Sequence, residues 1–474
     1  MAASSNGAIT ALDLVQVADR IRRREVSPVE VTKAVLDAID EHDSTLRSFI
    51  SVNTEHALLV AEAAEKAIAG GYYLGPLHGV PIAIKDIVST AGDRSTSGSK
   101  ILAEFVPEQD ATVTARLKSA GAVIVGKLNM HEFAYGVTTE NPHYGTARNP
   151  WHLDHSAGGS SGGSGVAVAA RLCYAALGTD TGCSVRLPAS YNGISGLRPS
   201  IGRVSNFGVG VLAWTLDTVG PMARTVADCA AMLQVMAGYD ARDPQTANVP
   251  VPDYASWIER GLEGVRLAIV NNYTLTGLQH DVQVAMERAL ETLEREGAVI
   301  KEVELHDLEY ATSALLTIDI AEPAAYHSDW LRKNPELYGD DVRALLQQGE
   351  MYLATHYIQA QRFRTLMQTQ FTDILKDAEA IITPTVPFTA PRIGRQDIDL
   401  GEGVTMGLIP AVMRYNALPP LTGIPALSVP CGFSSEGLPI GMQIIGDAFD
   451  EATVLRVGHG YQLATDWHRR KPPI

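Results

Sequence analysis

The 474-residue sequence predicts an α/β fold, a β-sheet covered by helices on both faces. Three observations carry that prediction. Short apolar runs such as PIAIK at 81–85 and VRLAIV at 265–270 alternate with longer stretches of helical periodicity along most of the chain. Apolar residues make up 46% and charged residues 19%, enough for an ample buried core. There is no internal repeat and no low-complexity linker, and proline and glycine are spread evenly. Length alone would suggest two or three domains, but this even texture favours one large domain over residues 1–474.

The elements follow in order. Ser27, Pro28 and Glu30 form an N-cap, a first-turn proline and a capping-box acid, opening a helix with Val31, Val35 and Ile39 on one face. A second helix runs from about Thr54 to a stop at Gly70-Gly71, and the strand PIAIK follows. Asp110 is expected to cap the helix ATVTARLKSA, after which Gly121 releases the chain into the strand AVIVG. Residues 264–305 read as strand, helix, strand. A mainly helical insertion, poor in glycine, spans about 306–376 and is expected to cover one side of a substrate entrance. The runs AIITPTVP, ALSVP and IGMQIIG return to the sheet.

The net charge of −16 argues against a nucleic-acid surface, and the one basic run, IRRRE at 21–25, reads as a solvated face. Cys173, Cys183, Cys229 and Cys431 show no metal-ligand spacing. MAASSNGAIT lacks the pattern of a signal peptide, and no run of 18 apolar residues exists. These features predict a cytoplasmic protein without membrane, metal or organic cofactor.

Two small-residue loops, GGSSGGSG at 158–165 and GTDTGCSVR at 178–186, suit either an anion cradle or a serine nucleophile with an oxyanion hole. GVPIAIKD at 79–86 decides between them, because Lys85 ends an apolar strand, where desolvation favours a neutral amine that can act as a base. Two other matches fail. GAVIVGKL places Leu128 where a phosphate loop needs Ser or Thr, and GGSSG follows NPWHLDHSA, which is no strand.

With these loops, SPVEVTKAVLDAI, GKLNMHEFAYG, GLRPSIGRVS, LDTVGPMARTVADCAAML and GLPIGMQIIG follow one another in the order of the amidase signature family, which this chain resembles over most of its length. The resemblance implies a single domain around a large mixed β-sheet. It also implies a Ser-cisSer-Lys relay in which Ser184 is the nucleophile, Ser160 follows a cis peptide bond and passes the proton, and Lys85 is the base. Backbone N–H groups of Thr181, Gly182, Cys183 and Ser184 are expected to form the oxyanion hole, with Asp180, Arg186 and Ser161 in support. Cys183 departs from the pattern, which usually has glycine there; a positive φ at this position would strain a cysteine.

Met130, Tyr135, Gly136, Val137 and Thr138 are expected to line the substrate pocket, with GVGVLAW at 208–214 adding apolar wall up to Trp214. The leading expectation is a stand-alone hydrolase of small amides or carbamates (anilides and urethanes), with a small-molecule substrate and no nucleic acid. The spacing of the three relay residues resembles urethane-cleaving members, and the family allows a homodimer. The alternative is the glutaminase subunit of a tRNA-dependent amidotransferase, which GKLNMHEFAYG and the segment AQRFR resemble. There Arg364 would hold a substrate carboxylate, but LIPAVMRYNALPP at 408–420 has no acid to grip the α-ammonium of glutamine.

Overall fold

The computed structural model describes residues 7–401 and 403–474, so most of the opening stretch read for a signal pattern, MAASSN, lies outside the described residues. Eleven strands form one mixed sheet. In chain order they are β1 (Phe49–Val52), β2 (Pro81–Lys85), β3 (Val123–Leu128), β4 (Ala175–Asp180), β5 (Ser195–Arg198) and β6 (Thr218–Ala223). They continue with β7 (Arg266–Val270), β8 (Val299–Val303), β9 (Ala380–Pro384), β10 (Ala426–Phe433) and β11 (Pro439–Ile445). The spatial order is β1-β3-β2-β4-β6-β5-β10-β11-β9-β7-β8. β3, β2 and β4 run parallel, as do β9, β7 and β8, while the strands between them pair antiparallel.

Every residue of β2, β3, β4, β6 and β11 is buried, which requires cover on both faces of the sheet. Helices supply it. The helix Pro28–Leu46 opens with the expected capping box: Ser27 Oγ accepts from Glu30 N at 3.1 Å and Glu30 Oε2 accepts from Ser27 N at 2.8 Å. Its Val31, Val35 and Ile39 face the core. The helix Thr54–Ala69 ends before Gly71, whose φ of +93° turns the chain out of the helix. One expectation fails. The helix Thr112–Ser119 is capped by Ala111 without a side-chain bond, because Asp110 instead accepts from Ala91 N at 2.7 Å and pairs with Lys118.

The segment expected to be mainly helical holds three helices, Ala311–Lys333, Asp340–Gly349 and Ala354–Leu375. No helix among the described residues is long and apolar enough to cross a membrane.

β2 and β4 are parallel neighbours, in register from Ile82 against Ala175 to Ile84 against Leu177. Their carboxyl ends therefore emerge side by side, and Lys85 and Asp180 are the last residues of each. Such an edge is where open α/β sheets assemble their sites.

Candidate active site

β2 delivers Lys85 to this edge with its whole side chain buried. β4 delivers Thr179, and the turn after it carries Thr181 to Ser184 into the helix Arg186–Asn192. Ser160 and Ser161 sit just before the helix Gly162–Ala169, whose first turn packs against backbone. A Cβ at Gly163 would lie 2.3 Å from Asn129 O and 2.5 Å from Ser48 O, so only glycine lets the loop approach this closely. The Gly159–Ser160 peptide bond is cis, as the resemblance implied.

Lys85 Nζ lies 2.6 Å from Ser160 Oγ, 2.8 Å from Ser161 Oγ and 2.8 Å from Thr179 Oγ1. Burial pulls its pKa from 10.5 down to about 7, against the opposing pull of Asp180, Asp217 and Cys183. A neutral amine has two N–H donors and one lone pair, and the surroundings decide where each goes. Ser161 donates its own proton to Thr179 O at 3.2 Å, so it can only accept from Lys85. Ser160 Oγ has no other hydroxyl or carbonyl to donate to among the described residues, which leaves its proton for the lysine lone pair. Thr179 takes the second N–H. Ser161 thus orients the amine and Ser160 faces its basic side.

No hydrogen bond joins the Ser160 and Ser184 hydroxyls among the described residues. Contacts of this kind often tighten only when substrate is bound. Ser184 is 6% exposed, and it opens with Gly182 and Cys183 onto a cavity of about 370 Å³. The N–H groups of Gly182, Cys183 and Ser184 donate to nothing else among the described residues, while those of Val185 and Arg186 are taken by Asp180 Oδ2. Thr181 lines the same cavity, and its Oγ1 donates to Asp217 at 2.6 Å. Cys183 does not have a positive φ, so the departure from glycine brings no left-handed strain; its Sγ lies 3.8 Å from Gly159 O.

Asp180 and Arg186 are fully buried and paired, Nε to Oδ2 at 3.0 Å and Nη2 to Oδ1 at 2.9 Å. Arg198, at the end of β5, reaches the same carboxylate at 3.3 Å and bonds the Asp180 carbonyl as well. Burial alone would raise the Asp180 pKa, but the two guanidinium groups hold it down at about 2. Arg186 also donates to Gly182 O at 2.7 Å, which ties the turn before Ser184 to this buried charge cluster. Sequence reasoning missed Arg198 and Thr179. Arg198 lay within a quoted motif without a role, and Thr179 sits one residue before Asp180 on β4.

The pocket expectations divide. Tyr135, Gly136 and Val137 line the cavity that holds Ser184, whereas Met130 and Thr138 do not. Met130 is packed in the core, and Thr138 turns its hydroxyl toward His131. Trp214 belongs to a neighbouring cavity of about 210 Å³ with Val209, Gly210 and Val211; only Leu212 of that stretch reaches both. The helical segment supplies Leu316, Asp319, Ile320 and Leu345. Arg364 is not at this cavity. Its guanidinium donates to Leu421 O at 2.8 Å and Thr215 O at 3.1 Å, so it does not stand ready for a substrate carboxylate as expected.

The sequence matches the Amidase family over residues 30–455. It is 42% identical to a glutamyl-tRNA(Gln) amidotransferase subunit of Geobacter metallireducens, over 98% of this chain and 99% of that one. Among solved structures it is similar to a chain from a vestigial protein complex bearing on the origins of an s-triazine catabolic enzyme (TM-score 0.91, 32% identity, 95% of this chain and 98% of that one). It is also similar to the corresponding glutamyl-tRNA(Gln) amidotransferase subunit of Thermotoga maritima, with TM-score 0.79 and 32% identity over 95% of this chain and 94% of that one. These relatives overturn two expectations. Full-length relatives at about this identity are subunits of a tRNA amidotransferase, not stand-alone hydrolases of small amides or urethanes. The expected separation from nucleic acid, with only a small-molecule substrate, falls on the same finding. The three relay residues could not have told the difference, since they define the acyl-transfer chemistry and leave the acyl group and its acceptor open. The fold, the sequence match and the relatives together establish that this chain belongs to the amidase family and is an amidase-type C–N hydrolase.

Proposed function

We propose that this chain is the glutaminase subunit of a tRNA-dependent amidotransferase, releasing ammonia from the side-chain amide of glutamine at Ser184. The observation that carries the reading is the 42% identity, over 98% of the chain, to a glutamyl-tRNA(Gln) amidotransferase subunit. The site supports it with Lys85 held against Ser160 and with Ser184 opening onto the cavity. Lys85 takes the proton of Ser160, Ser160 takes that of Ser184, and Ser184 Oγ attacks the amide carbon. The N–H groups of Gly182, Cys183 and Ser184 meet the oxyanion, a contribution that typically costs on the order of 10²–10³ in rate when one donor is lost. The proton returns through the same relay to the leaving nitrogen, ammonia departs, and water releases glutamate from the acyl-enzyme.

Asp180, Arg186 and Ser161 support the relay without touching the substrate. The chain is one amidase domain in this reading, its helical segment of about 306–376 walling the entrance, and it would work in the cytoplasm. The test is ammonia release from glutamine, and transfer of the glutamine amide nitrogen, labelled with ¹⁵N, onto glutamyl-tRNA when companion subunits are added. The reading requires both. Absence of glutamine cleavage with and without the companions would overturn it.

A further inference from the structure

The cavity beside Ser184 has mostly apolar walls, built by Leu212, Leu316, Ile320, Leu345, Ile409 and Met413. One carboxylate interrupts them. Asp319 lies on the helix Ala311–Lys333, is 7% exposed, and is the only acid among the described residues that line the cavity. Its Oδ1 is buried without a hydrogen-bond partner, and neither oxygen receives a hydrogen bond from any described residue. The hydroxyl of Tyr135, on the same cavity, is buried and equally without a partner.

Glu322, three residues further along the same helix, shows what a structural acid looks like here. It accepts from Thr215 N at 3.1 Å, Thr215 Oγ1 at 2.6 Å and Tyr357 Oη at 2.8 Å. Buried polar groups in native proteins are almost always paired, so two unpaired ones sharing a catalytic cavity call for a ligand.

Resting on the glutaminase reading, we infer that Asp319 and Tyr135 form the subsite that receives a positively charged nitrogen on the acyl part of the substrate, and so select carboxamides that carry an ammonium group. An ammonium supplies what both groups lack: a positive charge for the carboxylate and N–H donors for both oxygens. Burial and the nearby Asp217 and Glu322 push the Asp319 pKa well above the usual carboxylate range, so its charge is disfavoured until a cation enters. The acid missing from 408–420 is thus replaced by one from a different helix. Ser313 and Gln348 also line this cavity, and the exposed Gln348 gives the polar remainder of such a substrate a partner on the water side.

The test uses the Ser184→Ala chain, which binds without turnover, and two amides of matched shape. 4-Aminobutanamide places an ammonium at the spacing found in glutamine, and pentanamide puts a methyl group there. Calorimetry is expected to show at least a tenfold preference for 4-aminobutanamide. Adding Asp319→Asn should weaken it by about 10–100-fold, the scale of a hydrogen bond to a charged group, while pentanamide changes little. Tyr135→Phe, which keeps the ring and its packing, should weaken the ammonium amide alone and by less. Equal binding of the two amides, binding of neither, or a preference that survives Asp319→Asn would each overturn the subsite. If 4-aminobutanamide is preferred while L-glutamine neither binds nor is cleaved by the unmodified chain, the subsite stands and the glutaminase reading falls.

Discussion

Replacing Lys85 tests the centre of the mechanism. Its pKa falls from 10.5 to about 7, a change of about 3.5 pH units, which at about 1.4 kcal/mol per unit makes roughly 5 kcal/mol. The sign follows from proton counting. The unfolded chain keeps the lysine proton up to 10.5, whereas the folded chain keeps it only to about 7. Between those values the unfolded state binds more protons, so stability rises as pH climbs from about 7 toward 10.5, because proton uptake on unfolding grows less favourable as protons become scarce. The full burden of the buried charge is therefore present below about 7. Urea unfolding of the native chain and of Lys85→Met, measured from pH 6 to 10, should show the native chain gaining on the variant by up to about 4–5 kcal/mol. Activity should follow the same titration. Ammonia release at limiting substrate is expected to rise with pH, half-maximal near 7, because only the neutral amine accepts the Ser160 proton. Lys85→Met should lose on the order of 10²–10⁴ in kcat/KM. Lys85→Arg should lose as much, since a guanidinium keeps the charge but cannot give up its proton. A flat stability difference across this range, or an active Lys85→Arg variant, would refute a neutral lysine base.

Ser184→Ala should lower kcat by a factor on the order of 10⁶, the scale for removal of a serine nucleophile, with unfolding behaviour unchanged in urea. Ser160→Ala should cost about 10²–10⁴, and combining it with Lys85→Met should cost little more than either alone, because one relay is broken only once; multiplying losses would separate the two residues. Asp180→Asn leaves Arg186 and Arg198 buried without their carboxylate and is expected to destabilise the chain by about 3–5 kcal/mol in denaturant titration. The native carboxylate, held at about 2, should contribute its full stabilisation above pH 3.8 and lose it progressively as pH falls from there toward 2. All four thiols are buried, and burial pushes the pKa of each up, so an alkylating reagent at pH 8 should modify none of them in the native chain and all of them in denaturant. Rapid native labelling of Cys183 would contradict the packing around Ser184.

Local chemistry was legible in the sequence where its partners are local. The capping box Ser27–Glu30 and the strand ending at Lys85 each depend on neighbours a few residues away. Asp110 shows the limit: the same residue type at the same offset serves Ala91 and Lys118 instead, a choice made by tertiary contacts. Arg198 meets Asp180 because β4 and β5 both flank β6, which no spacing in the chain reveals. Asp319 left a faint signal, an acid between Ile318 and Ile320 on a helix whose buried face also takes Leu315. Nothing in that run shows whether its carboxylate is paired, as Glu322 is, or left open to a cavity. Substrate class was the least legible feature, because the cavity walls come from segments far apart in the chain and the relay is indifferent to them.

Two fully buried lysines stand at this edge of the sheet, and their partners explain why only one can be the base. Lys127, on β3, donates to Val88 O and to Ser95 Oγ and lies 3.9 Å from Asp86. A carbonyl and a carboxylate can only accept, so both hold the Lys127 nitrogen as a donor and favour its proton, against a burial that still lowers its pKa to about 8. Lys85 has three hydroxyls around it and no carboxylate or carbonyl in contact among the described residues. Ser161 and Thr179 take the two N–H groups of a neutral amine and Ser160 turns its hydroxyl to the lone pair, so this shell accepts the neutral form without leaving any group unpaired. The neighbouring carboxylate of Asp180 is spent on Arg186 and Arg198. Desolvation is common to both lysines. What separates the base from the strut is one hydroxyl, that of Ser160, free to donate to the amine, with the neighbouring carboxylate neutralised by two arginines.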